Sequence, residues 1–498
     1  MTMSTYIYNS SLSLAVFLPI FFGLSILIFG NDRKSYFIKV ISLIAAVVSF
    51  LIVCYIYNFF NQSNNSIQFE ENYKWIGNLN INYHIGIDGI SLLFLLLTSF
   101  ITIIVVLAAW KSIENRVSEY MAAFLILSGL MNGVFVSLDA ILFYVFFEAT
   151  LIPMYIIIGI WGGPNRFYAA FKFFLYTLLG SLLMFIAFIY MYEISGSFEI
   201  LTWHKIKISY VQQILIFIAF MAAFAVKIPM WPFHTWLPDA HVEAPTGGSI
   251  ILAAIMLKLG AYGFLRLSLP ILPDASASLS SMMIVLSLIA IIYIGFIAIV
   301  QEDMKKLVAY SSIAHMGFVT LGMFVFNVVG IEGAIVQMIS HGFISAAMFF
   351  SIGVLYDRAH SRIISDYNGL VSVMPRFVTF FVFFSMANCG LPATSGFVGE
   401  FLVIMGSVEY SFPVAILAAT SLILSASYSL WMLKRIAFGR LKVKHDINSF
   451  VDLDKREFLI SSILALAIIF MGIYPKPFTD VINLPAKCLL EHLSVTKL

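Results

Sequence analysis

The sequence predicts an all-α polytopic membrane protein of about fourteen transmembrane helices, and three observations carry that expectation. Of 498 residues, 61% are hydrophobic and 11% are charged, whereas a soluble domain holds roughly a quarter charged residues. Apolar stretches of about 20 residues, long enough to cross roughly 30 Å of hydrocarbon, recur along the chain. Lysine and arginine fall in alternate loops.

Spans are expected near 11–30, 36–60, 88–110, 119–138, 139–161, 167–192, 211–228 (broken, continuing to 243), 246–267, 279–300, 305–327, 330–356, 375–407 (broken), 412–437 and 457–474. No Lys or Arg precedes the first run, so it reads as a retained helix rather than a cleaved signal peptide. The sizeable loops are 61–87 and 438–456, and no separate soluble domain is expected. Loops after odd-numbered helices carry Arg33, Lys34, Lys111, Arg116, Arg166, Lys305, Lys306, Arg358, Arg362 and Arg376, with seven more between Lys434 and Arg456. Loops after even-numbered helices carry Lys74, Lys205, Lys207 and Arg266. The odd loops therefore face the cytoplasm or its equivalent, and both termini face the far side.

An internal repeat is expected. ILAA occurs at 251–254 and 416–419, and the break at Lys227-Ile228-Pro229 has a counterpart at Gly390-Leu391-Pro392. Helices 4–8 and 9–13 then form two five-helix units. An odd helix number inverts the second unit, and matched broken helices in inverted repeats mark an ion site near the midplane. The divisions expected are 1–118 (helices 1–3), 119–267 (first repeat), 279–437 (second, inverted repeat), and 438–498 (cytoplasmic loop and helix 14).

Composition narrows the chemistry. Cys54, Cys389 and Cys488 are scattered, and no CxxC pair or Gly-rich nucleotide loop occurs. An iron–sulfur cluster, a zinc site and a bound nucleotide are not expected on this chain. A net charge of +2 does not suggest a nucleic-acid partner. The partners expected are the lipid bilayer and protons, and any redox chemistry would fall to a partner.

Ionisable residues at membrane depth are costly and mark functional sites. Lys227 ends the first half of helix 7, and Lys258 lies near the centre of helix 8. Glu148 is about nine residues, or roughly 14 Å, into helix 5. His315 falls in helix 10, His341 in helix 11, and Glu400 after the break in helix 12. Desolvation lowers a lysine's proton affinity and a nearby carboxylate raises it, so motion of Glu148 relative to Lys227 would switch that affinity. Histidine relays near pH 7 with little tuning. Broken helices expose end carbonyls and amides that order water. These six residues are the expected proton relay.

The plainer readings are a static ion pair for Glu148, Lys227 and Lys258, and hydrogen-bonded core histidines for His315 and His341. Lys172 is expected to snorkel from the start of helix 6. His234, His241 and Glu243 are expected to orient groups or order water in the broken segment. Asp88 and Asp139 read as helix N-caps, and Glu119 as an interfacial residue.

Four long strings carry a family resemblance: LFYVFFEATLIPMYIIIGIWGG (142–163), AVKIPMWPFHTWLPDAHVEAPTGGS (225–249), DMKKLVAYSSIAHMG (303–317) and GLPATSGFVGEF (390–401). With them the whole chain resembles the antiporter-like subunits of NADH–quinone oxidoreductase, respiratory complex I, a family shared with multisubunit sodium/proton antiporters and membrane-bound hydrogenases. The resemblance implies that Glu148, Lys227 and Lys258 form the input half of a proton channel. It also implies that Glu400 gates exit, and a glutamate there matches the M (chain 4) type rather than the lysine of the L and N types. The position aligned with Lys258 in the second half is Ile423, so the second half is expected to relay through histidine. NADH, FMN, iron–sulfur clusters and quinone would sit on partner subunits, with L-type and N-type subunits as neighbours. The alternative is a subunit of a sodium/proton antiporter. The expected location is a bacterial inner membrane, the alternative the mitochondrial inner membrane.

Overall fold

The computed structural model describes residues 10–441 and 450–498; Lys442 and Lys444, counted above among the cytoplasmic charges, lie outside them. Thirteen helices of the described chain are long and apolar enough to cross a membrane. In chain order they are helix 1 (Ser11–Phe29), helix 2 (Asp32–Phe59), helix 3 (Gly89–Ser112), helix 4 (Val117–Val136), helix 5 (Ala140–Trp161), helix 6 (Arg166–Ser195), the first piece of helix 7 (Tyr210–Lys227), helix 8 (Thr246–Ile271), helix 9 (Pro273–Ile299), helix 10 (Met304–Phe324), helix 11 (Val328–Ala359), helix 13 (Phe412–Ala437) and helix 14 (Lys455–Ile473). Helix 12 fills the remaining expected position as two shorter pieces, Pro375–Asn388 and Ser395–Tyr410.

Both breaks fall where the sequence places them. After Lys227 the chain leaves the helix and re-enters it at Trp236–Glu243, the second piece of helix 7. Pro229 and Pro232 in between lack the N–H that a continuing helix would need. In helix 12 the break runs over 389–394, and Gly390 there takes a φ of +74°, which a residue without Cβ adopts at no steric cost. The predicted caps are present. Asp88 accepts from the Ser91 amide at 2.9 Å, and Asp139 accepts from the Ile141 and Leu142 amides at 2.9 and 3.1 Å.

Three features depart from expectation. The loop 61–87 contains an antiparallel hairpin, β1 (Gln68–Ile76) and β2 (Ile81–Ile87), with Tyr73 opposite Tyr83. Two strands alone are marginal in water, and this pair is anchored by Glu71, which accepts from the Ser13 amide of helix 1 at 3.0 Å. Beyond helix 14 a further helix, Lys476–Ser494, lies against the bundle; its mixed polarity and Pro485 conceal it from a search for apolar spans. Helix 8 runs on to Ile271, beyond the expected 267, so Arg266, counted with the outer-loop charges at the end of the expected span, lies well inside it.

Helices 8, 10 and 11 are enclosed nearly all round, whereas helices 1, 2, 6 and 13 leave apolar faces open. A helix apolar on every side belongs in the interior. Five of the six predicted relay residues lie on the enclosed helices or at the two breaks beside them; the sixth, Glu148, lies on helix 5.

Candidate functional site

Helix 5 brings Glu148 to an irregular turn. Its two segments, Ala140–Ala149 and Leu151–Trp161, meet at Thr150. Pro153, with no N–H to offer the Ala149 carbonyl four residues back, accounts for the irregularity. Glu148 feels Lys227 electrostatically and has Ser181 of helix 6 as a polar neighbour. Its Oε1 is buried without a hydrogen-bond partner.

Lys227 is 2% exposed, and its Nζ also lacks a hydrogen-bond partner. The ammonium instead sits 4.6 Å from the centroid of Phe147, over the negative face of the ring. Glu148 and Lys227 are therefore close without being bonded, which departs from the static ion pair considered above. Gly260 lets helix 8 approach here. A Cβ at that position would lie 2.9 Å from the Lys227 Cβ and 2.8 Å from the Phe224 carbonyl oxygen.

Lys258 is fully buried but well partnered. Its Nζ donates to the Ala253 carbonyl at 2.6 Å and lies 2.8 Å from His341 Nδ1. Ala253 belongs to a π-helical turn, Leu252–Met256, and a second such turn, Phe264–Ser268, follows in the same helix. Turns of this kind recur at functional positions in helices.

From Lys258 a continuous set of side chains crosses into the second half. The His341 and His315 ring centroids are 5.7 Å apart. His315 Nδ1 lies 2.9 Å from Glu400 Oε1, both side chains being buried. Gln337, one helical turn before His341, places its Nε2 3.4 Å from His315 Nδ1 and 3.5 Å from Glu400 Oε1. Beyond Glu400 a cavity of about 10 Å³ is bounded by His315, Glu400, Ser421 and Tyr428, room for about one water. Glu400 Oε2, His315 Nε2 and Ser421 Oγ are all buried without partners.

The other flagged residues divide. His241 is fully buried, stacks on Phe349 at 4.5 Å, and leaves both ring nitrogens unbonded. Lys305 and Lys258 both act on it electrostatically. Lys305 donates to the Ala244 carbonyl at 2.7 Å beside a cavity of about 180 Å³ on the face of the odd loops, lined also by Glu243, Asp357 and Arg362. Glu243 accepts from the Asn165 amide at 2.9 Å and so ties down the loop between helices 5 and 6. His234 is buried with Nδ1 unbonded. Lys172 does not snorkel: it pairs with Asp239, on the second piece of helix 7, at 2.7 Å.

Sequence reasoning missed Gln337, Phe147, Tyr428 and the π-turns. Only Gln337 left a signal, a polar side chain at membrane depth four residues before His341. Phe147 is one of 48 phenylalanines, and its place over the lysine depends on how helices 5 and 7 cross.

Comparison with known proteins places this geometry. The family described as NADH:quinone oxidoreductase/Mrp antiporter, TM matches residues 137–425. NADH-quinone oxidoreductase subunit M of Rhodobacter capsulatus is 50% identical over 465 residues, covering 91% of this chain and 90% of the relative. NADH-ubiquinone oxidoreductase chain 4 of Marchantia polymorpha is 46% identical over 486 residues, covering 97% and 98%. A chain in the structure of respiratory complex I from Thermus thermophilus with bound NADH superposes with a TM-score of 0.89 at 29% identity, covering 97% of this chain and 100% of that one. The chain belongs to the NADH:quinone oxidoreductase/Mrp antiporter family, on the branch whose members are named subunit M or chain 4.

Proposed function

We propose that this chain moves protons across the membrane along Glu148, Lys227, Lys258, His341, His315 and Glu400, as a subunit that carries no redox centre of its own. NADH, FMN, iron–sulfur clusters and quinone belong, in this reading, to partner subunits of the complex. L-type and N-type antiporter-like subunits would flank it. In this reading the membrane is a bacterial inner membrane, with the mitochondrial inner membrane as the alternative.

The observation that carries the reading is the Lys258–His341–His315–Glu400 series. It is buried throughout, its hydrogen-bonded contacts are 2.8 and 2.9 Å, and it links the middle of helix 8 to the break in helix 12. Each member can lose and regain a proton, so a charge entering at one end can leave at the other. The absence of a bond between Glu148 and Lys227 supports a switch at the input. A carboxylate free to move toward the lysine raises its proton affinity, and one moving away lowers it. Protons would enter from the cavity beside Lys305, pass His241, load the lysines, and leave past Glu400. Work against the field costs about 2.3 kcal/mol per charge per 100 mV, which redox chemistry elsewhere supplies.

The two breaks, one inside helix 7, which packs on helix 6, and one inside helix 12, which packs on helix 11, support the division into inverted five-helix units over 119–267 and 279–437. Residues 1–118 and 438–498 then flank the units.

The test is Lys227→Ala in the assembled complex. Proton pumping and quinone reduction are expected to fall together. Both rates persisting at full level would sink the assignment.

A further inference from the structure

A second polar path leaves Lys258, and it is built not to conduct. Lys258, Tyr262 and Arg266 succeed one another at four-residue intervals on helix 8, so they share one face and step toward the far side at about 6 Å each. At the far side a cavity of about 270 Å³ reaches Asp88, Tyr262, Arg266, His204 and His492. Without a barrier, this face would join the central lysine to the side where protons are released.

The hydrogen bonds between cavity and lysine run one way. Arg266 Nε donates to the Tyr262 hydroxyl at 3.2 Å, and its Nη2 donates to Ser91 Oγ at 3.1 Å. Nη2 also meets Asp88 Oδ2 at 2.8 Å. Tyr262 spends its proton on the Phe135 carbonyl at 2.8 Å, so Ser91 Oγ, 2.9 Å away, is the donor to the tyrosine oxygen. The series starts at the guanidinium and passes through Ser91 and Tyr262 to the Phe135 carbonyl in the last turn of helix 4, with Asp88 accepting from the guanidinium as a side branch. A guanidinium has no acceptor and stays protonated, and a backbone carbonyl cannot pass a proton on. A relay needs groups that accept on one side and donate on the other, and this circuit lacks them at both ends. Above it, Phe94 and Phe135 stack at 4.9 Å with the Tyr262 ring edge-on to Phe135 at 5.2 Å. Apolar constrictions of this kind exclude water.

We infer that Arg266, held by Asp88, Ser91 and Tyr262, together with the Phe94–Phe135–Tyr262 cluster, is the seal that keeps protons on the far side from returning to Lys258. Asp88 fixes the cation on the outer side of the tyrosine, and the aromatic rings keep the face dry. The inference rests on the proton-transport reading above and adds the element that makes transport one-way.

The test uses the whole complex in proteoliposomes with an internal pH dye, without NADH, under an imposed gradient acidic on the face of Arg266. Arg266→Gln is expected to speed collapse of the gradient about tenfold, the scale of removing one fixed charge at close range, while NADH oxidation persists. Arg266→Lys keeps a donor-only cation and should stay tight. Because a lone buried Asp88 could block assembly, Asp88→Asn/Arg266→Gln removes both charges together and should leak likewise. A tight membrane with either assembled neutral variant overturns the seal. Adding Lys258→Met to the leaking variant should close the leak. A leak that persists there overturns Lys258 as the endpoint of the sealed path. The relay itself stands or falls separately, on pumping by Lys227→Ala.

Discussion

Two buried lysines, Lys227 and Lys258, live under opposite rules. Lys227 has no hydrogen bond, only the face of Phe147 and a carboxylate held out of bonding range. Lys258 is locked between a π-turn carbonyl and a histidine nitrogen. An unpartnered buried amine is unstable in any fixed protonation state and responds to small movements of a nearby charge. A doubly bonded one holds its position and hands its proton along a fixed direction. The contrast assigns switching to the helix 7 break and conduction to the helix 8 centre.

The sharpest way to break this contrast is to remove each lysine and compare stability as well as transport. Lys258→Ala leaves an unpaired His341 nitrogen and a void inside an enclosed helix. It should lose transport and also destabilise the chain by about 2–5 kcal/mol, seen as earlier thermal dissociation of the purified complex. Lys227→Ala gives up no hydrogen bond and should lose transport with little loss of thermal stability. Equal destabilisation by the two would end the distinction. A smaller effect is expected at Gln337. Gln337→Leu removes the amide shared by His315 and Glu400, and turnover of the complex should fall about tenfold, the scale of one lost bond to a buried charged pair. Unchanged turnover would make Gln337 mere packing beside Gly399.

The smallest expected effect lies far from both lysines, at the hairpin. Burial raises the Glu71 carboxyl above the ordinary carboxylate range, against the hydrogen bonds from Ser13. The folded state then binds the proton more tightly than the unfolded chain. Hairpin docking is strongest in acid and weakens as pH rises through the raised value. Amide protection in β1 and β2, taken relative to the intrinsic exchange rate at each pH, should fall from pH 4 to pH 8, and Glu71→Gln should flatten that fall. No difference between wild type and variant would place the hairpin's anchorage elsewhere.

Much of this was legible in the chain. Apolar run length determined the helices, because hydrocarbon thickness sets a minimum length for each span. Proline and glycine at 229 and 390–392 determined the breaks, because backbone donors and φ angles are local properties. Ionisable residues in apolar runs marked all six relay candidates, since their cost at membrane depth does not depend on neighbours. Asp88 and Asp139 announced themselves as caps for the same local reason. The hairpin and the C-terminal helix were hidden because each is held by contacts distant in sequence, Ser13 with Glu71 and Glu332 with Asn483. Only the tertiary structure decided which charges touch. It left Glu148 and Lys227 apart, joined His315 to Glu400, turned Lys172 onto Asp239, and set Arg266 against Asp88. Those pairings depend on how helices cross and on which side chain reaches a partner before it reaches water, and no local run of residues encodes that.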